Sequence, residues 1–296
     1  MRDAGANVAT RIDEELGFVE EAGFFEGGLF GVSYKPTART HGAVVICPAI
    51  LSEYDHTYSI DVSLARALAA RGIAVHRLHY RGSGHSDGEP SDMTFERMLE
   101  DALAATVRFA AEVGVEQPLI LGVRFGSLVA AAVAAGSGGS PLVLWDPALS
   151  GRAYFRDAWR ADMMFQINEG AKPATRDAFP ALLERDNQVD VLGYPIGKAL
   201  YDSALERSLV DEVGDRARRI LILRGGPPAS ARPKLDEAVE ELRGRGCKVD
   251  VEVLDDALIL WFQGPEMRRN ARPHVAELIA RTVDWIKREL VKDAVA

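Results

Sequence analysis

Cysteine is nearly absent from this sequence: Cys47 and Cys247 are the only two in 296 residues, far apart and in neither a C-x-x-C nor a metal-ligand spacing. A disulfide framework and a cysteine-built metal centre are therefore excluded, and both thiols are expected in the core. Long apolar runs are missing too. No stretch reaches the roughly 18 consecutive apolar residues that a membrane-spanning helix needs, so no membrane span is expected. The first residues, MRDAGANVATRIDEELG, lack the positive start and apolar middle of a secretory signal, and a cytoplasmic location is expected. Basic tracts are also lacking. Lys and Arg number 35 against 44 Asp and Glu, a net charge of −9, which argues against nucleic acid or an anionic membrane as partner because both are themselves negative. No internal repeat, metal motif or cofactor motif is present, and the oligomeric state stays open.

What is present suits one α/β domain with an insertion, since 47% hydrophobic residues over this length can fill a sizeable core. Residues 17–25 and 29–34 are β-prone and aromatic on either side of Glu26-Gly27-Gly28, which predicts an N-terminal antiparallel hairpin. Residues 43–47, AVVIC, form a continuous apolar run expected of a strand buried on both faces. Helical spacing over 60–70 ends at Arg71-Gly72, and a strand returns at 73–78. An amphipathic helix follows at 94–113, with Met98, Leu99, Ala102, Leu103, Val107 and Phe109 as its apolar stripe. Further strands are expected at 119–121, 141–145, 219–223 and 248–254, with helices at 234–243 and 273–290. The alternation predicts a mostly parallel, doubly wound sheet covered by helices on both faces, with ligands beyond the carboxyl ends of its strands. Between 150 and 213 the alternation breaks into a helical, aromatic and then Pro/Gly-punctuated segment, read as a helical lid insertion. The core is then 1–149 and 214–296.

One stretch organises the rest: QPLILGVRFGSLVAAAVA, residues 117–134, a short strand, a glycine-bracketed turn and a small-residue helix. Gly122 and Gly126 supply the frame of G-x-S-x-G, in which a sharp strand-to-helix turn lifts a serine above the sheet. Arg124 stands at the serine's place. Together with FFEGGLFGVSYKP, VVICPAILSEYDHTY, HYRGSGHSDGE, LVLWDPALSGRAYFRD and WFQGPEM, in this order along nearly the whole chain, the stretch resembles the α/β-hydrolase superfamily. Within it the sequence is similar to the exosortase A system-associated hydrolases of the type lacking the elbow serine. The resemblance implies an α/β-hydrolase fold with a helical insertion after the sixth strand.

The chemistry of a serine triad is not legible here. A guanidinium with a pKa above about 12 offers no lone pair at neutral pH, so Arg124 can neither attack a carbonyl nor take a proton. The segment where the triad acid normally follows its strand reads Arg224-Gly225-Gly226-Pro227-Pro228, without a carboxylate. Where the base normally follows the last strand, Asp255 to Trp261 contains no histidine, and His274 comes later, at the expected start of the terminal helix. Ser127 lies one turn into the helix after Arg124, pointing away from the apex.

A fixed cation at a helix N-terminus suits a carboxylate or phosphate. The alternative is that Arg124 is held by a carboxylate of the protein itself, with Glu53, Asp146 and Asp87 as candidates. Residues 48–56, PAILSEYDH, are read as the loop that usually lends an oxyanion-hole N–H, with Glu53, Asp55 and His56 facing the cleft or else solvated or capping the next helix. The glycine-rich turn around His85 mainly shapes the chain, leaving His79 and His85 as outside candidates for a base. Asp146, directly after a strand, is expected to pair with Arg124 or simply to open the turn at Pro147. Trp145, Tyr154, Phe155, Trp159, Trp261 and Phe262 line an aromatic pocket or belong to the core, and Glu266 is placed at the cleft. The ligand-binding set is thus Arg124, Glu53, Asp146, Phe125, Trp261 and Glu266, with Glu53, His79 and Asp146 as the candidates for any proton transfer.

Three functions follow: a pseudo-hydrolase holding an anionic or acyl-bearing small molecule or carrier; an enzyme with a non-serine mechanism, handling acyl groups or protons; and an atypical esterase or peptidase.

Overall fold

The computed structural model describes residues 7–216, 218–226, 232–254 and 275–290. Continuous apolar runs become the central strands: β4 (Gly42–Cys47) and β5 (Ile73–Leu78) are buried along their whole length, as are β6 (Leu119–Val123) and β7 (Leu142–Trp145). A strand covered on both faces favours apolar side chains throughout, which is why alternation is absent from them; β5 departs from this with buried His76 and Arg77. Ahead of them run β1 (Asn7–Asp13), β2 (Phe18–Phe25) and β3 (Leu29–Pro36), and after them β10 (Arg219–Gly225) and β11 (Lys248–Leu254). Among the described residues these nine form one sheet in the order β1-β2-β3-β5-β4-β6-β7-β10-β11. The first three and the β3–β5 junction are antiparallel, and every later pairing is parallel.

The strand order turns at β4, with β5 on one side and β6 on the other. Chains leaving neighbouring strands at such a point depart in opposite directions and open a crevice at the carboxyl ends. On one face α1 (Ser52–Ala69) and α9 (Val275–Leu290) pack through Leu64, Leu68, Trp285 and Ile286. The other face carries α2 (Phe95–Val113), α3 (Gly126–Gly136) and α8 (Pro233–Gly244). Local chemistry sets the bounds of α2: the Thr94 hydroxyl accepts the Arg97 N–H at 3.1 Å, and Gly114 closes the helix at φ 67°.

Between β7 and β10 the chain forms α4 (Gly151–Asn168), α5 (Phe179–Asp186), the hairpin β8 (Gln188–Val191) and β9 (Tyr194–Gly197), then α6 (Lys198–Ala204) and α7 (Leu209–Val213). Its apolar residues Tyr154, Phe155, Trp159, Phe179 and Leu200 join the core cluster of the α2–α3 face. Polar ties add to this. Asp162 accepts the Leu192 N–H at 2.9 Å, the Phe95 N–H donates to the Ser203 hydroxyl at 2.9 Å, and the Tyr194 hydroxyl donates to the Asp55 carboxylate.

Four expectations need correction. The sheet opens with three antiparallel strands, because β1 precedes the expected hairpin. The segment after β7 is not purely helical, since β8 and β9 pair across Leu192 and Gly193, both at positive φ as a two-residue hairpin turn requires. Residues 52–56 are the first turn of α1 and not loop. Val107, placed in the apolar stripe of α2, is 68% exposed.

The crossing of α3 over β4 is close enough to dictate a residue. A Cβ on Gly126 would lie 2.3 Å from the Pro48 carbonyl oxygen and 2.4 Å from that of Cys47. Both obstacles are backbone, so Gly126→Ala is expected to cost about 3 kcal/mol or more in chemical denaturation. Gly136→Ala, at the far end of the same helix and 3.5 Å from a Leu103 methyl, should be neutral or stabilising by up to about 1 kcal/mol. Equal losses in the two variants would contradict this account.

Candidate functional site

β6 ends at Val123, and the chain enters α3 through Arg124, which sits at φ 52°. Left-handed backbone is strained for a side chain of this size, and it persists here because three backbone bonds hold it. The Arg124 N–H donates to the Trp145 carbonyl at 3.0 Å, and the Arg124 carbonyl accepts from Ser127 at 3.0 Å and Ala148 at 3.1 Å. Gly122 lies beneath the turn because a Cβ there would meet Ser127 Cα at 2.6 Å. At the end of β7, Asp146 is also left-handed, at φ 41°, and its N–H donates to the Leu223 carbonyl at 2.7 Å.

The Arg124 side chain turns towards α1. Its Nε donates to Glu53 Oε1 at 2.8 Å and its Nη1 to the Asp146 backbone carbonyl at 2.9 Å. The Glu53 side chain is fully buried, whereas that of Arg124 keeps 14% exposure. Burial pushes the Glu53 carboxyl up from its ordinary range, against the opposing pull of the Arg124 charge and hydrogen bond and of the nearby Tyr154 hydroxyl. Arg124 is held more firmly protonated: Glu53 and Asp146 together outweigh the effect of its burial. The Tyr154 hydroxyl donates to the Ile50 carbonyl at 3.4 Å, which fixes the loop leading into the turn of α1 that carries Glu53.

Of the three carboxylates considered for Arg124, Glu53 takes it. Asp146 contributes its backbone carbonyl, while its carboxylate receives Arg232 Nη1 at 2.5 Å; Arg232 Nη2 donates to the Gly225 carbonyl at 2.9 Å. Asp87 lies at the β2–β3 turn, its N–H on the Gly28 carbonyl at 2.9 Å. His79 is elsewhere again. Its Nδ1 accepts the His85 N–H at 3.1 Å, its Nε2 is 3.1 Å from the Tyr54 hydroxyl, and burial, with help from the Arg77 charge, lowers its pKa to about 3. The glycine-rich turn beside it takes positive φ at Gly82, Gly84 and Gly88, and a Cβ on Gly84 would lie 2.2 Å from His79 Nδ1. Phe125 is fully buried against Phe95, Tyr154 and Phe155. Trp145 belongs to the opposite face, its indole N–H donating to Thr282 at 3.0 Å. Ser127 is fully buried within α3. Trp261, Phe262, Glu266 and His274 lie outside the described residues.

A cavity of about 540 Å³ opens beside Arg124, between the residues that follow β7, the first two turns of α4, the start of α7 and α8. Its cations are Arg124, Arg156, Arg232 and Lys234, interleaved with five carboxylates, Asp146, Asp157, Asp211, Glu237 and Glu241; Leu149, Ala153 and Tyr154 give it an apolar wall. Arg156, Arg232 and Lys234 are absent from the sequence-based set. The available signal was positional: each lies just before, or within the first two turns of, a helix that follows the carboxyl end of a strand. Among the described residues no group of three or more His, Cys, Asp or Glu is arranged to hold a metal, and no helix is long and apolar enough to cross a membrane.

Two outcomes follow. Removing one member of the buried pair leaves the other uncompensated, so Arg124→Ala is expected to lose about 3–5 kcal/mol in denaturant unfolding. The joint replacement Arg124→Met with Glu53→Leu should recover most of that loss, and simple additivity of the two would refute the pairing. His79 is neutral in the native state down to a pH of about 3, while in the unfolded chain it takes a proton below its ordinary value near 6.5. Stability from this group is therefore complete above pH ~6.5 and falls as pH drops towards ~3, by about 1.4 kcal/mol per pH unit. His79→Gln should flatten the measured pH dependence by that slope.

A family model described as serine aminopeptidase, S33, matches residues 36–188. No curated protein matches the chain. Among solved structures, Est1E of Butyrivibrio proteoclasticus with ferulic acid bound superimposes with a TM-score of 0.60 at 19% identity, covering 90% of this chain and 97% of that one. The α/β hydrolase GrgF of Penicillium sp. sh18 gives 0.59 at 17% identity, covering 92% and 98%. An esterase of Pyrococcus furiosus gives 0.59 at 13%, covering 97% and 98%. These likenesses agree with the sheet order and the strand-to-helix turn at Arg124, and with the family model spanning more than half its length the chain belongs to the serine aminopeptidase S33 family, on the α/β-hydrolase fold.

Proposed function

We propose that this chain is a pseudo-hydrolase, binding an anionic or acyl-bearing small molecule, or an acyl group presented on a carrier, in the cleft beside Arg124. The observation that carries the reading is Arg124 itself: a largely buried guanidinium, clamped by Glu53 and the Asp146 carbonyl, on the left-handed turn between β6 and α3. That turn is where this architecture presents its nucleophile, and a guanidinium supplies no electron pair to attack with. The lack of a histidine in residues 255–261 and of a carboxylate in residues 224–228 supports a degenerate triad. The finer kinship with exosortase A system-associated hydrolases lacking the elbow serine, a lid role for residues 150–213 and a cytoplasmic location belong to the same proposal. Arg156, Arg232 and Lys234 favour a ligand carboxylate or phosphate at the mouth, and Leu149, Ala153 and Tyr154 favour an acyl or aryl body beside it. Glu53 stands behind Arg124 with no exposed surface, which speaks against its carrying protons to a substrate.

Est1E is described with ferulic acid bound, and that aromatic carboxylate is the first probe. Isothermal titration is expected to show saturable binding of ferulate to the wild type and at least about tenfold weaker binding to the Arg124→Met, Glu53→Leu double variant, a loss of about 1.4 kcal/mol. A serine-directed fluorophosphonate should leave the protein unlabelled. Stoichiometric labelling together with turnover of ferulate esters would replace this reading with an esterase.

A further inference from the structure

The outward face of α4 carries a feature that is independent of the function proposed above. Among the described residues seven large apolar side chains are exposed, and three of them fall within four consecutive positions: Met164 at 54%, Phe165 at 38% and Ile167 at 49%. Single exposed apolar residues are ordinary on a protein surface, but a contiguous group marks a place where something else is met. The packing of α4 on the domain does not need them. That is done by Tyr154, Phe155, Ala158 and Trp159 on the opposite side of the helix.

Helical periodicity sets their company. Arg152, Arg156, Arg160 and Met164 follow one another at intervals of four, all exposed, and Ile167 falls on the same face. This stripe is basic over its first turns and apolar at its end. Past the helix the chain turns at Gly170, φ 77°, and the exposed Lys172 follows. Arg160 and Lys172 therefore bracket the apolar group, and neither enters an ion pair among the described residues. Arg152 pairs with Glu206 and Arg156 with Asp157 at 3.2 Å, surface pairs of little worth that can be exchanged for others. Over residues 160–176 the exposed charges are Arg160, Lys172 and Arg176 against Glu169, because Asp162 is buried and accepts from the Leu192 N–H and from Gln166. The net charge of −9 is an average over the chain that this face does not share. Charges lying more than about 8 Å away are screened at physiological salt.

Size and chemistry choose the occupant. Three side chains, at no more than about 200 Å² each, fall short of the roughly 800 Å² that each partner of a stable protein interface contributes. A bilayer asks for less: a few bulky apolar side chains entering the headgroup boundary, with cations beside them at the phosphates.

We propose that this face of α4 docks reversibly on an anionic phospholipid bilayer, with Met164, Phe165 and Ile167 entering the headgroup boundary and Arg156, Arg160 and Lys172 meeting lipid phosphates. Arg156 also lines the Arg124 cavity, and it stands about 12 Å along the helix from Met164, so the docked chain holds the cavity mouth close to the bilayer. The test is vesicle flotation of the full chain, titrated with phosphatidylcholine vesicles and with vesicles in which about a third of the lipid is phosphatidylglycerol. The mixed vesicles are expected to bind at least about tenfold more tightly than phosphatidylcholine alone and to release the protein at high salt. The Phe165→Gln, Ile167→Gln double variant should bind the mixed vesicles about tenfold more weakly or worse, and Arg160→Gln about threefold more weakly with a shallower salt dependence. Ile12→Gln, which removes an exposed apolar side chain from β1, should bind as the wild type does. All these positions are exposed, so the variants are expected to fold. No binding to the mixed vesicles, equal binding to phosphatidylcholine alone, or unchanged affinity in the double variant would each overturn the proposal. So would a lipid-free dimer, seen by light scattering in the wild type and lost in the double variant, because the face would then belong to a second copy of the chain.

Discussion

The buried pair of Arg124 and Glu53 is the constraint around which this molecule is arranged. Taking two opposite charges out of water costs several kcal/mol for each, and only close, well-directed contact returns it. Here that contact needs three separate pieces of chain in register: the turn after β6, the first turn of α1 and the backbone at the end of β7. Each piece is secured in its own way. Gly122 and Gly126 let α3 lie against β4 and β6, Tyr154 pins the loop before Glu53, and the Asp146 carboxylate is occupied by Arg232.

The sheet order explains why these pieces meet. β4 and β6 are neighbours, and the crossovers that follow them leave to opposite faces, α1 to one and α3 to the other. The carboxyl ends of β4, β6 and β7 therefore form a shelf with a helix beginning on either side. Any fold with this turn in strand order places its reactive or binding groups on that shelf. In this chain the shelf holds a guanidinium, and the cavity beside it inherits alternating positive and negative side chains from α4 and α8.

Much of the architecture was legible in the amino-acid order because central strands are buried on both faces and so largely apolar, as β4, β6 and β7 are throughout and β5 is apart from His76 and Arg77. Elements held by backbone pairing or by tertiary context were not. β1 is an edge strand with Ile12 62% exposed, so its side chains advertise no buried face. The start of α1 follows Leu51 at φ 57° with no side-chain cap, and nothing in the residue types there announces a helix. At the site, Arg124 stood out because a glycine frame surrounds it, but Asp146 was the carboxylate expected to hold it, and Glu53 was only one of the other candidates. Choosing among the three depends on how α1 is rotated over the sheet, which periodicity does not reveal. Arg232 became visible only once the sheet was assembled, since the residue it holds lies on a different strand.

The left-handed backbone at Arg124 has a consequence for how this sequence can change. Strain of about 1–3 kcal/mol attends such a conformation outside glycine, and a glycine there would relieve it. It would also strand the carboxylate of Glu53 in the interior. Conversely, an apolar residue at 53 would leave the guanidinium without its counterion. Neither position can drift alone without loss, so the two are bound to a common evolutionary fate, and homologues that part with one are expected to have replaced the other in the same lineage.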